Sequence, residues 1–136
     1  MANDALAALR VLVVDDHQTM RKIIRRLLSQ VGIEKVDEAA DGQQAIDRLS
    51  DPQQPRPDLV ICDLHMERMD GMEFCNTVRR SKFLQDKAPP IIILTGEQER
   101  IALEVVSELG VAKVIQKPIS APDLKAHIES VVGFAA

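Results

Sequence analysis

The sequence predicts an α/β fold built on a doubly wound parallel sheet that is covered by helices on both faces. Short apolar runs alternate five times with stretches that have the apolar periodicity of a helix, which is the pattern of consecutive βα units. The runs are apolar at nearly every position rather than at every second one, as is typical of strands that are buried on both faces. Polar residues follow directly after the runs, at the carboxyl ends of the predicted strands.

The third apolar run is the clearest strand. It extends from Leu59 to Asp63 directly after Pro57-Asp58, and it stops at the carboxylate of Asp63. A turn follows, and Asp70-Gly71 then begins a helical pattern. The other predicted strands are residues 11–14, 35–39, 91–94 and 112–115.

The predicted helices follow the strands. In the first helix, apolar residues recur with helical spacing from Met20 to Val31. Thr19 is its expected N-cap and Gly32 is its expected end. The remaining helices are predicted at residues 43–49, 71–81, 101–109 and 121–132.

The chain has 136 residues, and we expect one domain at residues 10–133 after a short N-terminal extension, residues 1–9. It contains three Phe, neither Tyr nor Trp, and a net charge of −4, so neither base stacking nor phosphate attraction favours DNA binding. No signal peptide or membrane span is predicted. Cys62 and Cys75 form no C-x-x-C pair and are expected to be buried free thiols, which favours a cytoplasmic protein.

Side chains that could carry chemistry stand at the ends of four of the five predicted strands. Parallel sheets hold their binding sites beyond the carboxyl ends of their strands, so these side chains are expected to share one site. Each residue type alone is common at a strand end or in a turn, but their joint occurrence is far less common. The residues are Asp15 and Asp16, then Asp63, then Thr95, then Lys117.

Clustered carboxylates repel one another, and a hard divalent cation such as Mg²⁺, held by oxygen ligands, relieves that repulsion. An aspartate can also act as a nucleophile toward phosphorus, while a lysine and a hydroxyl contact the oxygens of the transferred phosphoryl group. The residues therefore indicate a Mg²⁺-dependent site that accepts phosphate on an aspartate. A transition-metal site made of His17, His65 and the carboxylates ranks below it, because no metal-ligand spacing repeats.

From about Arg10 to Val132, the sequence resembles the receiver domain of bacterial two-component response regulators. The resemblance implies a flavodoxin-like (βα)5 fold with the strand order 2-1-3-4-5. Residues 15–21 and 36–42 further resemble the chemotaxis subgroup of that family. The matching motifs are Asp15-Asp16, Asp63 followed by Met66 and Asp70-Gly71, Thr95-Gly96, and Lys117-Pro118.

The resemblance also implies a role for each of these positions. Asp63 accepts the phosphoryl group from a histidine kinase or a histidine phosphotransfer domain, Thr95 moves toward that group, and Lys117 pairs with it. The peptide bond before Pro118 is cis. The implied Mg²⁺ site consists of Asp16, Asp63 and the main-chain carbonyl of His65, with Asp15 acting through water.

Two positions depart from the family pattern, and two others vary within it. Glu67 stands where the family usually has Pro, which adds a negative charge near the site. Val114 stands where many members have an aromatic ring that reports phosphorylation, so we expect a switch based on backbone shifts and the helix after Thr95. His65 and Glu97 occupy the positions that tune the lifetime of the phosphate, and the alternative is that both are solvated loop side chains.

A basic face on the first helix is formed by Arg21, Lys22, Arg25 and Arg26. We expect this face to be solvated, with a docking surface for the kinase or phosphotransfer domain as the second interpretation. Binding of nucleic acid or of an anionic nucleotide is the third.

The predicted function is that of a single-domain response regulator, a signalling switch that phosphorylates and dephosphorylates itself and is not an enzyme in the usual sense. Phosphorylation is expected to alter the surface of the fourth helix, fifth strand and fifth helix, roughly residues 97–132, and so to change the binding of a protein target such as a flagellar-motor component. One alternative is a phosphorelay shuttle or phosphate sink. Two enzyme classes fit poorly: a haloacid-dehalogenase-type phosphatase needs Asp where His65 stands, and a nucleotide-binding enzyme needs a glycine-rich first turn.

Overall fold

The computed structural model describes residues 6–64, 66, 71–81, 89–96, 113–116 and 119–132. Within these residues the chain forms five strands and four helices that alternate up to the fourth strand. The strands are β1 (Arg10–Val14), β2 (Lys35–Ala39), β3 (Leu59–Asp63), β4 (Ile91–Thr95) and β5 (Lys113–Gln116). The helices are α1 (Gln18–Gln30), α2 (Gly42–Ser50), α3 (Gly71–Arg80) and α4 (Ala121–Val132). The helix predicted at residues 101–109 lies outside the described residues.

The five strands form one parallel sheet in the order β2-β1-β3-β4-β5, as the sequence predicts. Strand β1 lies between β2 and β3, and the chain order reverses at that position. In the register, Val14 is level with Cys62 and Asp63 is level with Leu94. The carboxyl ends of β1, β3 and β4 therefore lie side by side at one edge of the sheet, where ligand sites form in open α/β sheets.

Successive side chains of each strand point to opposite faces of the sheet, and helices cover both faces. On one face Val11 and Val13 pack with Ile24 of α1 and Leu124 of α4. On the other face Leu12 and Val14 pack with Ala45 of α2 and Phe74 of α3. These residues are essentially inaccessible to solvent, which explains why the central strands β1, β3 and β4 are apolar at nearly every position. The edge strands β2 and β5 are partly exposed and carry polar residues, unlike the continuous apolar runs that the sequence predicts.

The predicted N-terminal extension contributes to this core. Leu6 is fully buried and Leu9 is nearly so, and both belong to the layer under α1 and α4. Each leucine removes apolar surface from water, worth about 1.5–3 kcal/mol for a fully buried side chain. The residues just before β1 therefore stabilise the domain.

Helix α1 ends at Gln30, where the predicted glycine Gly32 terminates it, but it begins earlier than predicted. Gly32 adopts a left-handed conformation with φ of 96°, and the N–H groups of Gly32 and Ile33 donate to the carbonyls of Ser29 and Leu28. This pair of bonds is a Schellman motif, in which glycine avoids the strain of a positive φ. At the other end the N-cap residue is His17 rather than Thr19, and the His17 side chain makes no capping hydrogen bond.

Cys62 and Cys75 are both buried thiols that form no disulfide within the described part of the chain, as predicted. They lie in the apolar layer under α2 and α3, where they fill space as small hydrophobic side chains. None of the helices in the described part of the chain combines the length and the apolar character that crossing a bilayer requires.

Candidate functional site

The predicted site residues that the structure describes gather at the carboxyl edge of the sheet. Asp15 and Asp16 follow β1, Asp63 ends β3 and Thr95 ends β4. Asp15 and Thr95 are fully buried, and Asp63 is 8% exposed. These three are among the few buried polar residues in the described part of the chain. Polar side chains are usually exposed, so their burial together at the ends of the strands marks this edge of the sheet as the candidate site.

Asp15 is held in place from two sides. Its own N–H donates to the carbonyl of Ala39 at the end of β2, over 3.1 Å. Its carboxylate Oδ1 accepts a hydrogen bond of 2.8 Å from the main-chain N–H of His17, two residues later. These bonds fix the turn between β1 and α1, and they orient the acidic pair Asp15-Asp16 toward the edge of the sheet.

Asp63 is held by the turn that leaves β3. Its Oδ1 accepts a hydrogen bond of 3.0 Å from the N–H of Leu64, and Gly71 donates its N–H to the Leu64 carbonyl over 2.9 Å. The start of α3 packs so closely here that a Cβ atom on Gly71 would lie 2.6 Å from the main-chain oxygen of Asp63. Only glycine allows this approach, which explains the glycine in the Asp70-Gly71 motif.

The carboxylates of Asp15, Asp16 and Asp63 converge with the imidazole of His17. Each of the four residues offers one ligand atom, and these atoms all lie within 4.8 Å of one another. The carboxylate oxygens are of the type that Mg²⁺ prefers, and a site of one or two carboxylates that leaves room for water is the usual protein arrangement for this ion. The three predicted carboxylate ligands therefore fit a magnesium ion.

Arg21 connects this site to the edge of the sheet. Its Nη1 donates to the main-chain oxygen of Asp15 over 2.7 Å, and its Nε donates to Glu38 Oε1 on β2 over 2.8 Å. Arg25 also donates to Glu38, from Nε and Nη2 over 3.1 and 2.8 Å. Burial alone would raise the pKa of Glu38, but the hydrogen bonds and positive charges of Arg25 and Arg21 outweigh it, so this pKa lies below its ordinary value.

This network differs from the solvated helix face that the sequence predicts. The Arg21 side chain is only 16% exposed and is committed to Glu38 and to the Asp15 turn. Lys22 and Arg26 are exposed, as expected for that face. The sequence does contain a signal for the ion pair between Arg21 and Glu38. Glu38 has the opposite charge to Arg21 and lies on a predicted strand that neighbours α1.

Several predicted site residues fall outside the described part of the chain. They are His65, Glu67, Asp70, Glu97, Lys117 and Pro118. The first part of the predicted output surface, residues 97–112, lies there too. Val114 of β5 is described: it is half-buried and packs against the apolar layer under α2 and α3, beside β4.

Comparison with known proteins agrees with this architecture. A family model described as the response regulator receiver domain matches residues 11–129. A probable chemotaxis protein CheY from Rhizobium etli is 35% identical over 125 residues, which cover 92% of this chain and 93% of that protein. A chemotaxis protein CheY homologue from Campylobacter jejuni shows the same identity and the same coverage.

Solved structures show the same similarity. The chemotaxis protein CheY4 of Vibrio cholerae aligns with a TM-score of 0.74 at 32% identity, covering 90% of this chain and 98% of that one. The bacteriophytochrome response regulator AtBRR aligns with a TM-score of 0.77 at 27% identity, covering 94% and 95%. With the parallel sheet, its strand order and the acidic residues at its carboxyl edge, these matches establish that the chain belongs to the response regulator receiver domain family.

Proposed function

We propose that the chain is a phosphorylation switch in which Asp63 accepts a phosphoryl group in a Mg²⁺-dependent reaction. One observation supports this most directly. The Asp63 carboxylate is nearly buried at the end of a central strand, and ligand atoms of Asp15 and Asp16 lie within 4.8 Å of its own ligand atom. An aspartate that only terminates a strand would gain nothing from two further carboxylates beside it, because like charges repel.

Asp16 and Asp63 would hold the metal ion, with Asp15 acting through water and with the main-chain carbonyl of His65 as a further oxygen donor, as the family resemblance implies. When bound, the ion supplies positive charge that offsets the charge of the transferring phosphoryl group. Without an ion, three carboxylates so close together repel one another. The hydrogen bonds to Asp15 and Asp63 from main-chain N–H groups hold the two side chains in the positions that the reaction needs.

In the reaction, a carboxylate oxygen of Asp63 attacks the phosphorus atom of the donor. The new oxygen–phosphorus bond forms as the bond to the leaving atom breaks, and the donor keeps that electron pair. The donor is a phosphorylated histidine of a kinase or phosphotransfer domain, or a small acyl phosphate. Lys117 and the Thr95 hydroxyl bind the oxygens of the transferred group, and Thr95 has the right location because it ends the strand beside β3.

Signalling follows from a change in the population of two conformations. The phosphoryl group favours the conformation in which Thr95 has moved toward it, and the surface of roughly residues 97–132 changes with it. Val114 lacks an aromatic ring and is half-buried against the apolar layer, so β5 and the segment after Thr95 transmit the change through their backbones. The partner is a target protein, and the CheY relatives favour a role in chemotaxis and motility.

The experiment is phosphorylation by acetyl phosphate, followed by intact mass. The parent is expected to gain one phosphoryl group with Mg²⁺ and none after chelation, and Asp63→Asn is expected to gain none. Asp123→Asn, which changes an exposed aspartate on α4, is the matched control and should behave as the parent. An equal gain in Asp63→Asn and the parent would disprove the proposed acceptor.

A further inference from the structure

Strand β2 is an edge strand of the sheet, so its outer side faces no other strand in the described part of the chain. The main-chain groups of successive residues in a strand point alternately to its two sides. The carbonyl of Ala39 accepts a hydrogen bond from the N–H of Asp15 and therefore points to the β1 side. By this alternation, the N–H and carbonyl groups of Val36 and Glu38 point outward, as does the N–H of Ala40. Such a row of outward groups is a template for pairing with another strand.

Both ends of this row are already bonded within the chain. The Val36 N–H donates to the carbonyl of Glu34 over 3.1 Å, and the Val36 carbonyl accepts from Arg25 Nη2 over 3.0 Å. At the other end, the Ala40 N–H donates to the side-chain Oε1 of Gln44 over 2.9 Å. An added strand bonds to every second residue, so a row whose two ends are occupied offers only its middle residue.

Arg25 is held along the outer edge of β2 by a second partner. Its Nε and Nη2 donate to Glu38 Oε2 over 3.1 and 2.8 Å, so the guanidinium lies along the strand from Val36 to Glu38. Arg21 shares the Glu38 carboxylate, but its other printed bond goes to the Asp15 carbonyl after β1. Of these two arginines, Arg25 is therefore the one whose bonds cover the outer edge of β2.

We propose that Arg25 and Gln44 close the outer edge of β2 to strand addition, and that this closure keeps the folded chain from pairing with a second copy of itself through β2. Natural sheets protect their edges with charged side chains or with a covering element. Here the protection consists of hydrogen bonds to the same main-chain groups that a second strand would use. The inference does not depend on the phosphorylation of Asp63.

The test is sedimentation velocity of the full chain over a range of protein concentrations. The parent is compared with Arg25→Ala/Gln44→Ala, called the capless variant because it lacks both side-chain caps. The matched control is Arg26→Ala/Gln43→Ala, which removes the same residue types from exposed neighbouring positions and leaves the same net charge. In the capless variant the main-chain N–H of residue 44 still donates to Asp41, so α2 keeps its N-cap bond.

The capless variant should form a species with twice the mass of one chain, and the fraction of this species should grow with concentration. The matched control should sediment as the parent does. In dilute Gln44→Ala, the amide of Ala40 should exchange its hydrogen about 2- to 10-fold faster than in the parent, as loss of one hydrogen bond allows. As the capless variant associates, the amide of Glu38 should become protected, because its outward N–H enters the new strand pair.

A weakened fold is another cause of association, and Arg21→Ala separates the two causes. This variant loses a bond to Glu38 but keeps both caps on β2. Circular dichroism establishes that each variant is folded before sedimentation, and Arg25→Ala alone replaces the capless variant if the latter is unfolded. A folded variant without its cap that sediments as the parent does would overturn the proposal. Equal association of Arg21→Ala or of the matched control would also overturn it.

Discussion

The Nη1 atom of Arg21 donates a hydrogen bond of 2.7 Å to the main-chain oxygen of Asp15. The same guanidinium donates from Nε to Glu38, so one side chain ties the acidic turn after β1 to the edge strand β2. The turn carries Asp15 and Asp16, whose carboxylates belong to the proposed metal site. We therefore propose Arg21 as a positioning residue for that site.

Replacing Arg21 by Ala should weaken both the fold and the site. Hydrogen bonds to charged groups contribute about 1.5–3 kcal/mol, so we expect the free energy of unfolding to fall by about that amount. Mg²⁺ affinity should fall by about 10-fold, the lower range for loss of an outer-shell partner. Urea unfolding followed by far-UV circular dichroism measures the first, because the chain has no Trp or Tyr for fluorescence. Calorimetry measures the second.

The control for this prediction is Arg26→Ala, which removes the same charge from an exposed position on the same helix. It should change the free energy of unfolding by less than about 0.5 kcal/mol, as exposed substitutions usually do. A loss of Mg²⁺ affinity that is equal in the two variants would show that overall charge, and not the bond to Asp15, is responsible.

Acid should remove the contribution of Glu38 to stability. Its pKa is lower in the folded chain than in the unfolded chain, so between the two values the unfolded chain binds more protons. The contribution is complete above about pH 4.3, the ordinary glutamate value, and is lost as the pH falls through the lower folded-state pKa. We therefore expect the stability gap between the parent and Glu38→Gln to be constant from neutral pH to about pH 5 and to shrink below it. Urea midpoints across this range test it, and a gap that widens toward acid would contradict the ion-pair network.

Replacing Gly71 by Ala should destabilise the chain and disturb the acceptor. The new methyl group would lie 2.6 Å from the Asp63 main-chain oxygen and 2.9 Å from Leu64 Cα, both backbone atoms that cannot turn away. Overpacking of this kind costs about 1–3 kcal/mol. We also expect slower phosphorylation by acetyl phosphate, because the shift displaces Asp63.

Gly96→Ala is the matched control for stability, since a Cβ atom at this exposed position would meet nothing within 4 Å. It should leave the free energy of unfolding within about 0.5 kcal/mol of the parent. If Gly71→Ala also leaves the free energy of unfolding unchanged, the close approach of α3 to β3 does not constrain the site.

The lifetime of the phosphate should depend on His65 and Glu97, if these side chains influence the attacking water as the family resemblance implies. We expect His65→Ala and Glu97→Ala each to change the rate of dephosphorylation of Asp63, with the phosphorylated fraction followed by intact mass over time. Rates equal to that of the parent in both variants would indicate solvated loop side chains.

The centre of the sheet could be predicted from the sequence because β1, β3 and β4 are buried on both faces. Residues 59–62, for example, form a continuous apolar run that stops at Asp63 and is typical of a strand buried on both faces, and the structure confirms the predicted strand Leu59–Asp63. The convergence of Asp15, Asp16 and Asp63 followed in turn, because the carboxyl ends of parallel strands share one edge of the sheet.

Other features depend on side-chain orientations and helix ends that the sequence pattern does not determine. The first turn of α1 is polar at Gln18 and Thr19, so apolar periodicity could not detect its start. The bond from Arg21 to Glu38 joins residues that are 17 apart in sequence, and its prediction requires the rotamers of both. The same holds for the His17 ring: the sequence predicts Thr19 as the cap, whereas the N-cap residue is His17 and its ring lies at the acidic cluster.

The central claim is that Asp63 is the phosphoryl acceptor, and direct location of the acyl phosphate tests it. The parent is treated with acetyl phosphate and Mg²⁺, then with borohydride, which reduces an aspartyl phosphate to homoserine, and the modified residue is located by tandem mass spectrometry of peptides. The account predicts homoserine at position 63, dependent on Mg²⁺, with Asp15 and Asp16 unchanged. Homoserine at position 15 or 16, or at no position, would contradict it.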